Sequence, residues 1–422
     1  MSTIVVGAGL AGLAAARRLQ AAGEEVVVLE AKPHVGGRTW TERDRFINGQ
    51  AGDLGGSLID LGQNRILAAC AEFGVRLARL PDLVRPDSDS RYTAASLLRN
   101  TIVAEGRLLS GEESENLATE VRAALDAFAP GPAESIEAWT SRAELSPLAR
   151  RMVCALAGAN PVHEAGEIQM GMIEPPHTGK TCWMMADGAD SLAHAMAEGL
   201  DIRLEHAVRL ITQDQETFEL TVQTDTERFV AANVVVATPV GPTRRIAFDP
   251  VLPDWKTRAL SATSMSQGGK VIGQYTDAPA IRAGLGPCVY GDGPIAWAWP
   301  GPALADQDTV IVYGLIPDRG DGVLGDESRA LAALDELVSS TVGRPVERHA
   351  GIVQDWTRDE YAGGVVSYLL GDFPRLPGLL AMAAGWGFIH FAGEHTADKW
   401  ATSMDGALRS GDRAADEILL LR

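Results

Sequence analysis

Hydrophobic positions along the chain fall into a strand rhythm and a helix rhythm. Ile4–Val6 is a short unbroken apolar run, followed by Gly7-Ala8-Gly9 and an alanine- and leucine-rich stretch from Leu10 to Ala22 that stops at Gly23. The run predicts a buried strand, the stretch a helix, and Gly23 its C-terminal stop. Glu25–Leu29 predicts a second buried strand, closing on Glu30. Asn64–Phe73 has helical period. Ser110-Gly111-Glu112-Glu113 reads as a capping box opening a helix that runs to Phe128. "SPLARRMVCALAGA" and Glu327–Val342 predict further helices. "HAVRLITQD", "FELTVQTD" and "ERFVAANVVVATPV" predict a small meander returning to a buried strand. "GGKVIGQYTD" and "DTVIVYGLI" predict strands, Phe388–Ala392 another, and Met404–Leu420 a closing helix. The uncharged run Leu376–Gly393 holds Pro377 and several glycines, so it is expected to be loop plus buried strand rather than a membrane span. Proline and glycine clusters at 130–133 and 174–179 mark loops.

The first sixty residues carry the clearest chemistry. Gly7, Gly9 and Gly12 have the GxGxxG spacing between a strand and a helix. The first glycine permits a tight turn, the second lets a pyrophosphate approach the backbone, and the third allows close helix–strand packing. The positive end of the helix faces the phosphates. Glu30 arrives ~20 residues on, where an acid accepts hydrogen bonds from a ribose. Strand, turn, helix, strand and acid in that order point to a dinucleotide. Gly36-Gly37-Arg38 and Gly55-Gly56 add two more close approaches, and Arg38 suits a phosphate. A ligand met by so many separate turns is long and buried.

Composition narrows the rest. At 422 residues the chain is long enough for two domains, and 46% hydrophobic against 22% charged residues supports a large core. A net charge of −19 argues against nucleic-acid binding and mildly favours a cationic small molecule. The four cysteines, Cys70, Cys154, Cys182 and Cys288, lack CxxC spacing and the histidines form no cluster, so no metal site or disulfide framework is expected. The first strand starts at Ile4, leaving no room for a signal peptide. A soluble cytoplasmic protein without membrane contact is the expectation.

Five stretches together resemble the flavin-dependent monoamine oxidase family, which includes polyamine and nicotine-type alkaloid oxidases. They are "VVGAGLAGLAAARRL", "LEAKPHVGGRTWT", "DLGGSLIDLGQNRIL", "NVVVATPV" and "IHFAGEHTADKWATSMDGALRSGDRAADEIL". The resemblance implies an α/β fold: a Rossmann-like FAD-binding domain of the glutathione reductase/amine oxidase type, with an interleaved α+β substrate-binding domain. The FAD-binding parts are expected at 1–79, 191–244 and 351–422, and the substrate-binding parts at 80–190 and 245–350. It implies FAD contacts from Gly7, Gly9, Ala11, Gly12, Glu30, Ala31, Gly37, Arg38, Gly55, Gly56, Ser57, Gly393, Ser403 and Met404. Val208 would meet the adenine through its backbone, and Glu394 would lie near the ribityl chain. The implied reaction takes a hydride from the carbon beside an amine nitrogen to flavin N5, giving an imine, with dioxygen restoring the flavin and yielding hydrogen peroxide. A homodimer is compatible with it.

Lys270 stands alone among apolar residues after two glycines at the head of a strand. A lysine in a low-dielectric site has a lowered pKa. By resemblance it holds a water at flavin N5 and is the catalytic candidate. The sequence departs from the family in two places. Val365 stands where many members carry a flavin-linked cysteine, so non-covalent FAD is expected. Val366 and Ser403 occupy the positions of the aromatic pair that flanks the amine. Trp183, Trp386 and Trp400 are candidates to line the substrate pocket with Val366. Tyr368, Met170, Met172 and Met184 are further possible wall residues. Ser57-Leu58-Ile59 offers no arginine for a substrate carboxylate. The substrate is therefore expected to be an apolar primary or secondary amine, cyclic or alkaloid amines included. Two other readings stay open: a C–C desaturase or porphyrinogen/carotenoid-type oxidase, and a non-catalytic FAD-binding scaffold.

Overall fold

The computed structural model describes residues 2–81, 100–129, 131, 134–159, 162–168, 182–303, 308–318, 320–369 and 376–421. Two sheets organise the chain. The first has five parallel strands in the order Asp201–Arg203, Glu25–Leu29, Ser2–Val6, Asn233–Val236 and Ile389–Phe391. Alternation sends its side chains to two cores. Val5, Val28 and Val235 meet the helices Leu10–Ala21 and Met404–Leu420. Ile4, Val6, Val234 and Val236 meet a four-stranded sheet formed by Val208–Gln213, Leu220–Thr224, Arg228–Ala231 and Ala247–Asp249. The two helices cross at small residues: a Cβ on Gly411 would lie 2.1 Å from the Ala11 carbonyl oxygen.

The second sheet has seven strands, in the order Arg348–Asp355, Gly268–Thr276, Thr309–Pro317, Trp297–Pro300, Val289–Gly291, Thr101–Ala104 and Arg107–Leu108. One face packs on Ala278–Leu285 and Glu327–Val342 through Val271, Tyr275, Val310 and Val312. The other face presents Ile272, Trp299, Ile311, Tyr313 and Leu315 to the helices Gly111–Ala127, Ile136–Arg142 and Pro147–Ala159. Ser110 caps the first of these with the expected box: its hydroxyl accepts from the Glu113 amide, and the Glu113 carboxylate accepts from the Ser110 amide.

Three local expectations change. Leu376–Ala381 is a helix, not loop, because Leu376 and Leu380 bury their side chains with Ala259 and Leu260 of the helix Asp254–Ser261. Arg348–Asp355 runs through the 350/351 boundary and belongs to the seven-stranded sheet. Cys182–Met185, expected in the substrate-binding part, pairs with Ile59–Asp60 and Leu77–Arg79. The Asp254–Ser261 helix also carries Lys256, which is fully buried. Its ammonium donates to the carbonyls of Leu379 (3.1 Å) and Leu380 (2.6 Å) and lies 3.7 Å from the ring centroid of Phe391.

Among the described residues no helix is long and apolar enough to cross a membrane. None of the four cysteines is in a disulfide. Among the described residues no group of histidine, cysteine, aspartate and glutamate has a metal-holding arrangement.

Candidate active site

A cavity of about 420 Å³ runs between the carboxyl ends of the parallel strands and the inner face of the seven-stranded sheet. Its two ends differ in kind. One is lined by backbone and polar groups from the first sheet, the other by aromatic and aliphatic side chains from the second.

The polar end gathers Gly7, Gly9, Ala11, Glu30, Ala31, Gly37, Arg38, Gly55, Gly56, Ser57, Val208, Gly393, Glu394, Ser403 and Met404, all of which line the cavity. Gly7 turns with φ +104°, and a Cβ there would press on the Ala237 carbonyl. Gly37, at φ +60°, brings its backbone against Gly9. The helix Leu10–Ala21 starts at Gly9 without a side-chain cap or an acid in its first turn. Its leading N–H groups therefore suit an anion. Glu30 accepts from the amides of Ala8 (2.6 Å) and Lys32 (2.9 Å), one on each oxygen. Burial pushes its carboxyl up, and those amides oppose the shift.

Arg38 and Glu394 form a half-buried pair at 2.9 Å. Arg38 also donates to the Val365 carbonyl at 2.9 Å. Glu394 accepts from the Ser367 amide and hydroxyl and from the Thr402 amide. Burial pushes its carboxyl up, but the Arg38 guanidinium and the Ser367 bond oppose burial, and it is held below the usual range. Burial drives the neighbouring His395 down to about 4, so it is a neutral imidazole.

Lys270 lies where the two ends meet. It is 4% exposed, and its ammonium donates to the Gly55 carbonyl (2.7 Å) and the Ser57 hydroxyl (3.0 Å). The ring centroids of Trp299 and Tyr313 lie 5.3 and 5.2 Å away. Burial lowers its pKa to about 8, against the pull of Asp53.

Several placements correct the sequence-based set. Gly12 does not line the cavity. A Cβ there would fall 1.9 Å from the Gly7 carbonyl, so this glycine serves packing. Trp183 is one position out of phase. In the strand Cys182–Met185, Cys182 faces the cavity, while Trp183 packs in the core between the sheet and its helices. Trp400 does not line the cavity either; it packs over Gly62, where a Cβ would meet its ring at 2.6 Å. Tyr368 packs at a tilt against His163, at 4.8 Å between ring centroids. Met184 is core. Val366 does line the cavity. Met170, Met172 and the side chain of Trp386 lie outside the described residues.

The aromatic wall is instead Tyr290, Trp297 and Trp299, joined by Leu156, Val162 and Leu315. Successive ring centroids from Tyr290 through Trp297 and Trp299 to Tyr313 are 5.9, 4.7 and 5.5 Å apart. The i, i+2 spacing in "WAW" was the available sign, since it puts both indoles on one strand face.

A parallel sheet with a glycine turn at an uncapped helix, feeding a long cavity that passes one buried lysine to a ring-lined wall, defines the class as a dinucleotide-dependent enzyme. Comparison with known proteins gives the class its family. Residues 10–419 match the family model of flavin-containing amine oxidoreductases, and the chain belongs to that family. It is 28% identical to AofH of Mycobacterium tuberculosis over all of this chain and 97% of that one. It is 25% identical to (S)-6-hydroxynicotine oxidase of Paenarthrobacter nicotinovorans, covering 99% of both. Among solved structures, cyclohexylamine oxidase from Brevibacterium oxydans IH-35A superposes with a TM-score of 0.81 at 19% identity, over 100% of this chain and 99% of that one. Wild-type putrescine oxidase bound to putrescine gives 0.78 at 22%, with the same coverage. The protein is an FAD-dependent amine oxidoreductase of mixed α/β fold.

The residues present fit FAD. The uncapped helix and Arg38 suit its phosphates, Glu30 and the Val208 backbone suit its adenosine end, and the Glu394 network lies farther along the same cavity.

Proposed function

We propose that this enzyme oxidises an apolar primary or secondary amine, cyclic amines included, to the imine, with dioxygen as the final acceptor. Bound FAD supplies the hydride-accepting centre and returns the electrons to the acceptor. The protein orients the amine, keeps water out and manages protons. The observation that carries the reading is the ring-lined wall meeting a buried amine at Lys270, with no arginine among the described residues that line that end. Such a wall favours an apolar carbon frame beside the reacting carbon. It also favours the neutral form of the substrate nitrogen, the form that can give up a hydride.

In this reading the parallel sheet is a Rossmann-like FAD domain built from 1–79, 191–244 and the chain after Asp355. The seven-stranded sheet with its helices is the substrate domain. Lys270 is the catalytic residue, placing a water or a proton beside the reacting end of the flavin. The activities named for similar proteins act on 6-hydroxynicotine, cyclohexylamine and putrescine, so family membership alone leaves the substrate open. The Val366 and Ser403 positions leave orientation of the amine to the Tyr290–Trp297–Trp299 wall. Val365 offers no thiol to the flavin, and FAD is held without a covalent bond.

The test is anaerobic mixing of the holoenzyme with a panel of cyclic, alkaloid and linear amines. Bleaching of the visible flavin band by apolar amines, followed by peroxide on admitting oxygen, is the expected result. Bleaching only by polyenes or porphyrinogens would move the assignment to a C–C oxidase, and no bleaching would leave a scaffold. Acid precipitation is expected to release all yellow colour into the supernatant.

A further inference from the structure

Asp53 is a buried carboxylate, 2% exposed, two residues before the Gly55 carbonyl that accepts from Lys270. Its Oδ1 accepts from the Thr41 hydroxyl at 2.9 Å and from the Ala189 amide at 2.8 Å. Those bonds tie the strand Gly52–Asp53 to its partner Thr41–Glu42 and to the turn before the helix Ser191–Ala197. Two donors converging on one oxygen oppose the burial that pushes this carboxyl up. The other charged or titratable groups facing it are Asp190, Arg43 and Tyr313. Asp190 and Arg43 are paired with each other. Tyr313 is neutral, because burial pushes its phenol far up, and its ring lies against Lys270. Among the described residues, Lys270 is thus the cation facing Asp53 that has no closer carboxylate of its own.

Lys270 itself has one carbonyl, one hydroxyl and two rings around its ammonium. Neutral dipoles alone hold a buried cation weakly, and a nearby anion is what retains its proton. We propose that Asp53 is a positioning residue for Lys270: its carboxylate is the buried counter-charge that keeps the amine protonated in the cavity, so the pair sets the pH at which the site stops offering a proton. The inference rests on Lys270 being the group beside the reacting end of the flavin. Burial is the first cause at both groups and displaces each toward its neutral form, Asp53 upward and Lys270 downward, and each is the other's opposing charge. At Asp53 the Ala189 amide and Thr41 oppose burial as well.

The experiment uses holoenzyme carrying Asp53→Asn, Thr41→Val or Lys270→Met. Two quantities are followed against pH: the visible spectrum of the oxidised bound flavin, which needs no turnover, and the rate at which oxygen restores the reduced enzyme. Wild type is expected to show one inflection in both. Asp53→Asn moves it to lower pH by about one unit or more. Thr41→Val moves it the same way by less, and Lys270→Met abolishes it. If Lys270→Met leaves the inflection in place, the Lys270 assignment fails. If Lys270→Met removes it but Asp53→Asn leaves it where it was, or wild type shows none, the Asp53 inference is overturned. Should Asp53→Asn not fold or not retain FAD, Thr41→Val decides, and an unmoved inflection there overturns the proposal.

Discussion

Lys256 and Lys270 are both buried lysines with depressed pKa values, about 7 and about 8, and in both burial is the first cause. They belong to opposite kinds of place. Lys256 closes the C-terminal end of the helix Leu376–Ala381, giving its protons to two orphan carbonyls and its charge to the face of Phe391. It does not line the cavity that holds Lys270. Lys270 gives protons to a carbonyl and a hydroxyl that themselves line the cavity. A perturbed pKa therefore marks burial, and only access to a ligand turns burial into chemistry.

The largest separation between the two is kinetic. Lys270→Met is expected to slow reoxidation of the flavin by oxygen about 100-fold or more while FAD binding and thermal stability change little; Lys256→Met should leave that rate unchanged. Stopped-flow mixing of reduced enzyme with oxygen checks both. Equal slowing by the two variants would break the distinction.

Stability should reverse the order. Lys256→Met strands the Leu379 and Leu380 carbonyls and should cost about 1–3 kcal/mol in denaturant unfolding. The sign of its pH dependence follows from the depressed pKa. Below about 7 the folded and unfolded chains both carry the proton, and the cost of the buried charge is fully present. Between about 7 and 10.5 the unfolded chain binds a proton that the folded one lacks, so wild-type stability rises with pH across that window. The loss on substitution should grow with it.

Next in size is the coupling of Lys256 to its ring. A double-mutant cycle with Phe391→Leu is expected to give about 0.5–2 kcal/mol below pH 7, fading above it as the amine loses its charge. The smallest effect is at the other lysine. Trp299→Leu removes one ring from beside Lys270 and should lower its titration by about half a pH unit. A shift in the opposite direction would show that the indole desolvates the amine more than it attracts it.

Legibility in the sequence follows the same divide. The glycines, Glu30, Arg38 and the Glu394 block could be read directly because each acts through a local turn or strand end whose geometry a few neighbours dictate. Lys270 was visible as one charge in an apolar strand. Lys256 was not, since its acceptors lie more than 120 residues away and an exposed helical lysine looks the same in sequence. Trp183 failed by one step of strand phase, which an isolated four-residue strand does not reveal. The Tyr290–Trp297–Trp299 wall needed the register of two strands to bring its rings together. Leu376–Ala381 owes its helix to a partner face on Asp254–Ser261, which no local propensity announces.

The cavity wall begins at Val6 and is not complete until Ala407. During synthesis, therefore, the nascent polypeptide emerges from the ribosome with its glycine turn already translated and its opposite jaw still to come. Coenzyme capture becomes an event of the nearly finished molecule, and a stalled or prematurely terminated product is born colourless.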